Sequence, residues 1–360
     1  MSSRQARPKA RSTIQDVAEL TGVSPKTVSF VLNGKPGVSE QTRVRVLKAV
    51  SDLNYHPHMG ARTLRNRVSR TVGVTFTAPW KTIPLSRNLL FWLYEGLVRV
   101  FGSRGFYVTF DMSPHVAAGE HDYARGVWEQ AFGPCILIGP LSDNDQTCRR
   151  LQEIGIPYVV TGRLSGLPEC SSATVDYEEA AYQSTKHLIE KGHKKIAMLG
   201  AFEGYQPGQE RRQGYRRAFE EAGLPVTDSL LRFVTLEVSN IVREMHSLLR
   251  EHTVTALIDS SGAEDPAALR EGAQRAGRRL SRDLDTVVWT YMYDTVVLPE
   301  AVAHMWLPIR EATAEGFESL AAWIEGKHEG PVQVLYRPLL FEAPTREQIT
   351  EDLRLFKDVP

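Results

Sequence analysis

Between Thr13 and Leu53 the apolar residues recur at helical spacing in three short runs, each opened by a residue suited to capping. Thr13-Ile-Gln-Asp16 predicts the first helix. Thr13 can accept from free backbone N–H groups, and Asp16 at the third helical position is favoured by the positive helix end. Ile14, Val17, Ala18 and Leu20 then supply an apolar face for about two turns. Gly22 ends this helix and Ser24-Pro25 starts the next, with Ser24 as cap and Pro25 at the first helical position, where its missing N–H costs nothing. Val28, Val31 and Leu32 form the inward face of the second helix. Lys26, Thr27, Ser29, Phe30 and Asn33 are left outward or at its ends. Ser39-Glu-Gln-Thr42 opens a third helix, with Val44, Leu47, Val50 and Leu53 expected inward. Two short helices joined by a Gly-containing turn and braced by a third make the helix-turn-helix arrangement, whose second helix presents its N-terminal residues to base edges in the major groove. A plain three-helix bundle shows the same spacing, so periodicity leaves both readings open.

After residue 70 the pattern changes to short apolar runs alternating with longer amphipathic stretches. Strands are predicted at Val72–Phe76, Tyr107–Phe110, Cys135–Ile138, Tyr158–Thr161, Ile196–Leu199, Ala256–Ile258 and Thr286–Trp289. Helices are predicted at Asn88–Arg104, Gln146–Ile154, Tyr177–Lys191 and Arg211–Ala222, among others. Such alternation implies parallel sheets covered on both faces, with ligands at the carboxyl ends of the strands. About 290 residues suffice for two domains of ordinary size.

Charge separates the two parts further. Residues 1–70 hold 13 Lys/Arg against four acids, a net of +9. The whole chain carries 43 of each sign, so residues 71–360 hold 30 basic and 39 acidic residues. A polyanion is drawn to the first part and repelled by the second. A solvated charge run is the competing explanation on charge alone, but the polar outer face of the second helix favours DNA.

The wording of the first segment is specific. Thr13-Ile-Gln-Asp-Val-Ala-Glu-Leu-Thr-Gly-Val-Ser-Pro-Lys-Thr-Val-Ser-Phe-Val-Leu-Asn33, then Val38-Ser-Glu-Gln-Thr-Arg43 and Leu53-Asn-Tyr-His-Pro57, resembles the lactose/galactose repressor (LacI/GalR) family of bacterial transcription factors over about 50 residues. The resemblance implies an all-α helix-turn-helix head plus an α/β periplasmic-binding-protein-like body of two parallel-sheet subdomains. Pro25, Lys26 and Phe30 take the positions that read base edges, while Thr13, Ser24, Thr27, Ser29, Asn33, Ser39 and Thr42 mostly hold phosphates and Tyr55 joins the contact set. Lys26 can donate to guanine O6 or N7, whereas Pro25 and Phe30 can contribute only apolar contact, for instance to thymine methyls. His58-Met-Gly-Ala-Arg-Thr-Leu-Arg65 resembles a hinge helix that enters the minor groove when two copies pair. Leu64 matches the wedging residue and Ala61 the small residue that allows close approach. Gly60 departs from the pattern and weakens the short helix by roughly 1 kcal/mol against alanine, so the hinge is expected to order only on DNA. The domains expected are a basic tail 1–12, the head 13–56, hinge and linker 57–70, the effector-binding and dimerisation body 71–345, and a tail 346–360.

A second stretch follows the same family: Asp176-Tyr-Glu-Glu-Ala-Ala, His187-Leu-Ile-Glu-Lys-Gly-His193-Lys-Lys-Ile-Ala-Met-Leu-Gly200, and Arg211-Arg-Gln-Gly-Tyr215 with Ala222-Gly-Leu-Pro225. Arg211 aligns with an arginine that holds a ligand oxygen in the cleft, while Arg212 reads as a surface group and Gly192-His193 as a helix stop leading into a strand. Elsewhere the cleft departs. Ser260-Ser-Gly262, Thr290-Tyr-Met292 and Gly162 stand where the family places carboxylates, with Arg163 next. Trp80, Trp289 and Tyr291 serve either as stacking surfaces for a small-molecule effector or as core aromatics. The effector is then a sugar, another planar metabolite, or none.

Three cysteines, Cys135, Cys148 and Cys170, show neither metal spacing nor an even framework, which suits a reducing cytoplasm. The first residues lack the apolar core of a signal peptide, and no run is long enough to span a bilayer. No phosphate loop, nucleophile elbow or metal-spaced histidine pair is visible, so neither an enzyme nor a metal or other cofactor is expected. The apolar residues of the last segment are too few for a tetramerising coiled coil, and a homodimer on a near-palindromic double-stranded operator is expected.

Overall fold

The computed structural model describes residues 12–32, 34–53, 55, 70–77, 87–111, 116–117, 120–121, 123–139, 141, 146–162, 164, 167, 169–201, 203–235, 237–261, 267–291 and 298–342. Asn33, Trp80, Ala61, Leu64 and Arg163, the hinge helix and the tail 346–360 lie outside these residues. The chain divides into two units, Met1–Ser69 and Arg70–Pro360.

In the first unit α1 (Ile14–Thr21), α2 (Pro25–Leu32) and α3 (Glu40–Asp52) follow one another closely. Thr13 and Asp16 close a capping box: the Thr13 N–H donates to Asp16 Oδ2 at 2.6 Å, and the Asp16 N–H donates to Thr13 Oγ1 at 3.3 Å. The Thr13 N–H and the Thr13 hydroxyl, which also donates to Asp16 Oδ2 at 2.9 Å, hold the Asp16 carboxyl below its usual range. Gly22 turns the chain at φ 66°, a left-handed conformation that favours glycine, and Val23 donates back to Ala18 O at 3.2 Å. Ser24 Oγ accepts from the Thr27 N–H at 3.1 Å and Ser39 Oγ from the Thr42 N–H at 3.3 Å, which starts α2 and α3. Val17, Ala18, Val28, Val31, Val46, Ala49 and Tyr55 form the core.

Three apolar residues expected inside this core lie outside it. Leu20, Val44 and Leu47 are 59%, 58% and 48% exposed. On α1 the buried stripe is Val17, Ala18 and Thr21, with Ile14 half-buried, because 14, 17, 18 and 21 lie on one side of a helix of 3.6 residues per turn. Thr21 is accommodated there by donating to Val17 O at 2.7 Å. On α3, strict three-residue steps from Val44 drift by about 60° each, so Val44 and Leu53 fall on opposite sides. The true seam is Val46, Ala49, Val50 and Leu53.

The second unit contains two six-stranded sheets. The first subdomain holds β1 (Thr71–Phe76), α4 (Arg87–Leu97) continued by a π-helical turn Val98–Gly102, β2 (Tyr107–Asp111), a small antiparallel pair β3 (Val116–Ala117) and β4 (Glu120–His121), α5 (Arg125–Trp128), β5 (Cys135–Ile138), α6 (Thr147–Glu153), β6 (Tyr158–Thr161) and β7 (Ser172–Val175). The second holds α7 (Tyr177–Glu190), β8 (Ile196–Gly200), α8 (Gln206–Glu221), β9 (Leu231–Phe233), α9 (Val238–Glu251), β10 (Ala256–Ser260), α10 (Ala267–Arg275), β11 (Asp285–Thr290) and β12 (Ala303–Trp306). The chain then returns through α11 (Ile309–Ile324), which packs on β6 and β7, and ends in β13 (Gln333–Tyr336) and β14 (Leu339–Glu342). The sheet orders are β13-β7-β6-β5-β1-β2 and β14-β12-β11-β10-β8-β9. Because β13 belongs to the first sheet and β14 to the second, three segments cross between the subdomains.

All pairings in the first sheet are parallel, as expected from the alternation of strands and helices. In the second, β14 pairs antiparallel with β12 and adds an edge that the expectation of purely parallel sheets omitted. Such an edge is common on mainly parallel sheets. The predicted helix 88–104 is α-helical only to Leu97. The strands not anticipated, β3, β4, β7, β9, β12, β13 and β14, are short or contain Ser, Thr, His, Gln or Arg, which breaks the apolar run. Helices α7 and α8 approach closely at Gly214, where an added Cβ would lie 2.0 Å from Glu178 O.

Candidate DNA-reading face and effector crevice

The start of α2 places its polar residues outward. Pro25 and Lys26 are exposed, and Thr27, Ser29 and Phe30 are half-buried. Thr13, Ser24 and Ser39 are exposed and Thr42 half-buried, so the hydroxyls that start the three helices reach solvent at their N-terminal ends. Backbone N–H groups and hydroxyls at helix starts suit phosphate oxygens. Tyr55 differs from this set. It is 6% exposed, packs in the head core and donates its N–H to Val50 O at 2.9 Å, so its ring is a packing element and not an outward contact. A relationship not legible in the sequence surrounds Phe30. Lys26 Nζ stands 5.8 Å and Lys35 Nζ 5.6 Å from its ring centroid, so the one aromatic group on this face carries cationic neighbours.

In the body, strand order reverses beside β8, which has β9 on one side and β10 on the other, and ligands in such sheets bind at the carboxyl ends near that point. The residues found there are buried and polar. Ser260 Oγ donates to Leu199 O at 3.0 Å, tying the ends of β8 and β10. Arg211, in the second turn of α8, is fully buried and is no surface guanidinium. Its Nη1 donates to Pro207 O at 2.7 Å and its Nη2 to Tyr291 Oη at 2.9 Å. The guanidinium carbon lies 4.6 Å from the Tyr177 ring centroid and 5.1 Å from that of Trp289. These two rings are parallel within 11°. Burial pushes the Tyr291 hydroxyl above its usual pKa, against the opposing pull of Arg211. It therefore keeps its proton and donates to Ser260 O at 3.3 Å. Burial likewise raises the Tyr177 hydroxyl.

One sequence reading of this crevice needs correction. Trp289 is 2% exposed and its indole N–H donates to Ser184 Oγ at 3.0 Å, so it packs beneath α7 and presents no open face for stacking on a ligand. A buried carboxylate that the sequence reading did not single out is Asp259, one residue before Ser260. It is 3% exposed and accepts from the Ser261 N–H at 3.1 Å and from Ser261 Oγ at 2.6 Å. Burial raises its pKa, an effect the two Ser261 bonds oppose. An acid inside the apolar run Ala256-Leu-Ile-Asp-Ser260 was the available signal. Buried Gln206 and Glu210, joined at 3.1 Å on α8, and Tyr177 also escaped sequence reasoning. Arg212 is half-exposed and stacks on Phe233 at 5.1 Å. His193 bridges Thr255 Oγ1 at 2.9 Å and Asp285 Oδ2 at 3.1 Å at the amino ends of β8, β10 and β11, the opposite end of the sheet from Arg211.

A helix-turn-helix head joined to a two-sheet α/β body defines a DNA-binding regulator with a ligand-binding type of body. Residues 13–58 match the bacterial regulatory proteins of the lacI family, and residues 133–327 match the periplasmic binding proteins and sugar binding domain of the LacI family. The chain belongs to the LacI family of transcriptional regulators. It is 33% identical to the HTH-type transcriptional regulator CelR of Thermobifida fusca across 78% of this chain and 82% of that one. It is 29% identical to the HTH-type transcriptional repressor PurR of Vibrio atlanticus across 93% and 98%. Among solved structures, a CelR–cellobiose complex matches with TM-score 0.64 at 28% identity, covering 93% of this chain and all of that one. A lac repressor dimer bound to operator shares the fold with TM-score 0.75 at 21% identity, covering 92% and 98%. Among the described residues no helix is long and apolar enough to cross a membrane.

Proposed function

We propose that this regulator binds a near-palindromic operator as a cytoplasmic homodimer and is controlled by a sugar or related metabolite in the crevice at the carboxyl ends of β8, β10 and β11. The head, 13–56, reads bases with Pro25, Lys26 and Phe30 and holds phosphates with Thr13, Ser24, Thr27, Ser29, Ser39 and Thr42. Asn33 joins the phosphate set, and Ala61 and Leu64 of the hinge 57–70 enter the minor groove. In the body, 71–345, Arg211 anchors a ligand oxygen beside Tyr291 and Asp259, and Arg163 and Trp80 are further effector contacts. The chain acts as a regulator and not as an enzyme.

The observation that carries this reading is Arg211, a fully buried cation at the strand ends, framed by two aromatic faces with Asp259 nearby on β10. Taking a charge out of water is costly even where hydrogen bonds offset part of the loss, so its retention there argues for a binding role. The sugar bound by the related CelR in its complex supports the ligand class. One observation favours a second reading, a body without effector: Arg211 already donates to Pro207 and Tyr291 of its own chain.

Thermal unfolding against a panel of mono- and disaccharides, cellobiose included, separates the two. A sugar that raises the unfolding temperature must also change operator affinity, and operator must change sugar affinity by the same factor. If no sugar shifts either quantity, nucleosides and amino acids are tested in the same way, and the effector-free reading stands when none of these shifts either.

A further inference from the structure

Against one face of the first sheet three cysteines gather in a single apolar cluster around Tyr158, none of them in a disulfide. Cys148 lies on α6, Cys170 two residues before β7, and Cys135 opens β5 in the middle of the sheet. The Cys148 thiol donates a hydrogen bond to the Cys170 sulphur, so the two sulphurs are in contact across a long sequence separation. The backbone holds Cys170 in place. Its N–H donates to Leu167 O at 3.0 Å and its carbonyl accepts from Gln333 Nε2. The next N–H, of Ser171, donates to Tyr158 Oη at 3.3 Å. Both thiols are buried, and their chain neighbours Arg149 and Glu169 are exposed.

We propose that Cys148 and Cys170 form an oxidisable dithiol which a two-electron oxidant of the peroxide class converts to an intrachain disulfide. The Cys170 thiolate attacks one peroxide oxygen, the O–O bond breaks, and a sulfenic acid and hydroxide form. Cys148 sulphur, losing its proton, then attacks the Cys170 sulphur. The S–S bond forms, the S–O bond breaks, and water leaves. In sum two thiols lose two electrons and two protons, and one peroxide becomes two waters. The disulfide would bring two sulphurs already in hydrogen-bond contact to about 2.05 Å. The chemistry also discriminates within the cluster. Burial alone pushes the Cys135 thiol up to about 12, whereas the Cys148 hydrogen bond holds the Cys170 thiol below its usual value. The bond would tie α6 to the segment leading into β7, enclosing β6 and Gly162, the point where the chain leaves that strand's carboxyl end.

The test uses the intact chain, folded and reduced, treated with hydrogen peroxide, denatured and assayed for thiols. The count is expected to fall from three to one and to return to three with dithiothreitol. Peptide mapping without reductant identifies the partners. Trypsin alone leaves Cys135 and Cys148 together in residues 126–149, so an aspartate-directed protease cutting before Asp143 and Asp145 is added. The expected product joins the Cys148 peptide to the Cys170 peptide. Cys135→Ser should retain this link, and Cys148→Ser should lose it and leave Cys170 as a sulfenic acid trapped by dimedone. Three thiols persisting after peroxide, a link through Cys135, or a link between two chains would each overturn the proposal. The wild-type map decides this whether or not the variants fold.

Discussion

Arg211 and Tyr291, on α8 and just past β11, are joined by a 2.9 Å hydrogen bond from guanidinium Nη2 to the phenolic oxygen. Through Tyr291 the same arrangement reaches Ser260 O, so three separate segments of the second subdomain meet at one polar contact. Tyr291→Phe keeps the ring and removes both bonds. Because one partner is charged, unfolding free energy should fall by about 1.5–3 kcal/mol, read from urea denaturation. An unchanged midpoint would show that the contact adds nothing to stability.

Lys26 and Thr42 should separate when DNA binding is measured over many sequences. Lys26→Ala removes a donor aimed at base edges and should relax sequence preference at one position, while Thr42→Ala should weaken all sequences alike. Equal loss of specificity from both substitutions would contradict this division of roles.

Gly214 sits where α8 meets the Glu178 carbonyl of α7. Gly214→Ala should force the two helices apart and lower stability by about 1–3 kcal/mol, although alanine is the better helix former. The result to compare is the unfolding free energy of Gly204→Ala, at a loop glycine whose added Cβ meets nothing within 4 Å, where the cost arises from its φ of 82° and not from a clash.

Asp259 predicts a pH dependence whose sign follows from burial. Its folded pKa lies above the unfolded value of 3.8, so the folded state binds the proton more tightly. The favourable contribution is complete below the unfolded pKa and is lost as pH rises through the folded one. Asp259→Asn can still accept from Ser261 and removes the buried charge. The variant should match wild type in acid and become progressively more stable than it as pH rises from about 4 toward neutrality. A stability difference independent of pH, from urea midpoints across that window, would falsify the assignment.

Legibility varied with how local the cause was. The caps Thr13, Ser24 and Ser39, and the helices they start, depend on residues three apart, and all three appear where their spacing places them. The strands Cys135–Ile138 and Tyr158–Thr161 are apolar except for the terminal Thr161 and lie in the middle of the first sheet. Strand β7 reads Ser-Ala-Thr-Val and offers no such run; it is a strand because β6, β13 and α11 surround it. Leu20, Val44 and Leu47 are as apolar as their buried neighbours, and only their angle around the helix axis sends them outward.

The sequence by itself determined the family, the capped three-helix head with its cationic charge, and the alternation that makes the body α/β, because each is written in residue types at short, fixed spacing. Only the tertiary structure decided that Trp289 packs beneath α7, that Tyr291 rather than solvent receives the Arg211 proton donor, and that Cys148 touches Cys170 while Cys135 is sealed in the sheet. Those outcomes depend on segments brought together by sheet order and helix packing, and a burial environment is a property of the assembled neighbours, not of the residue that occupies it.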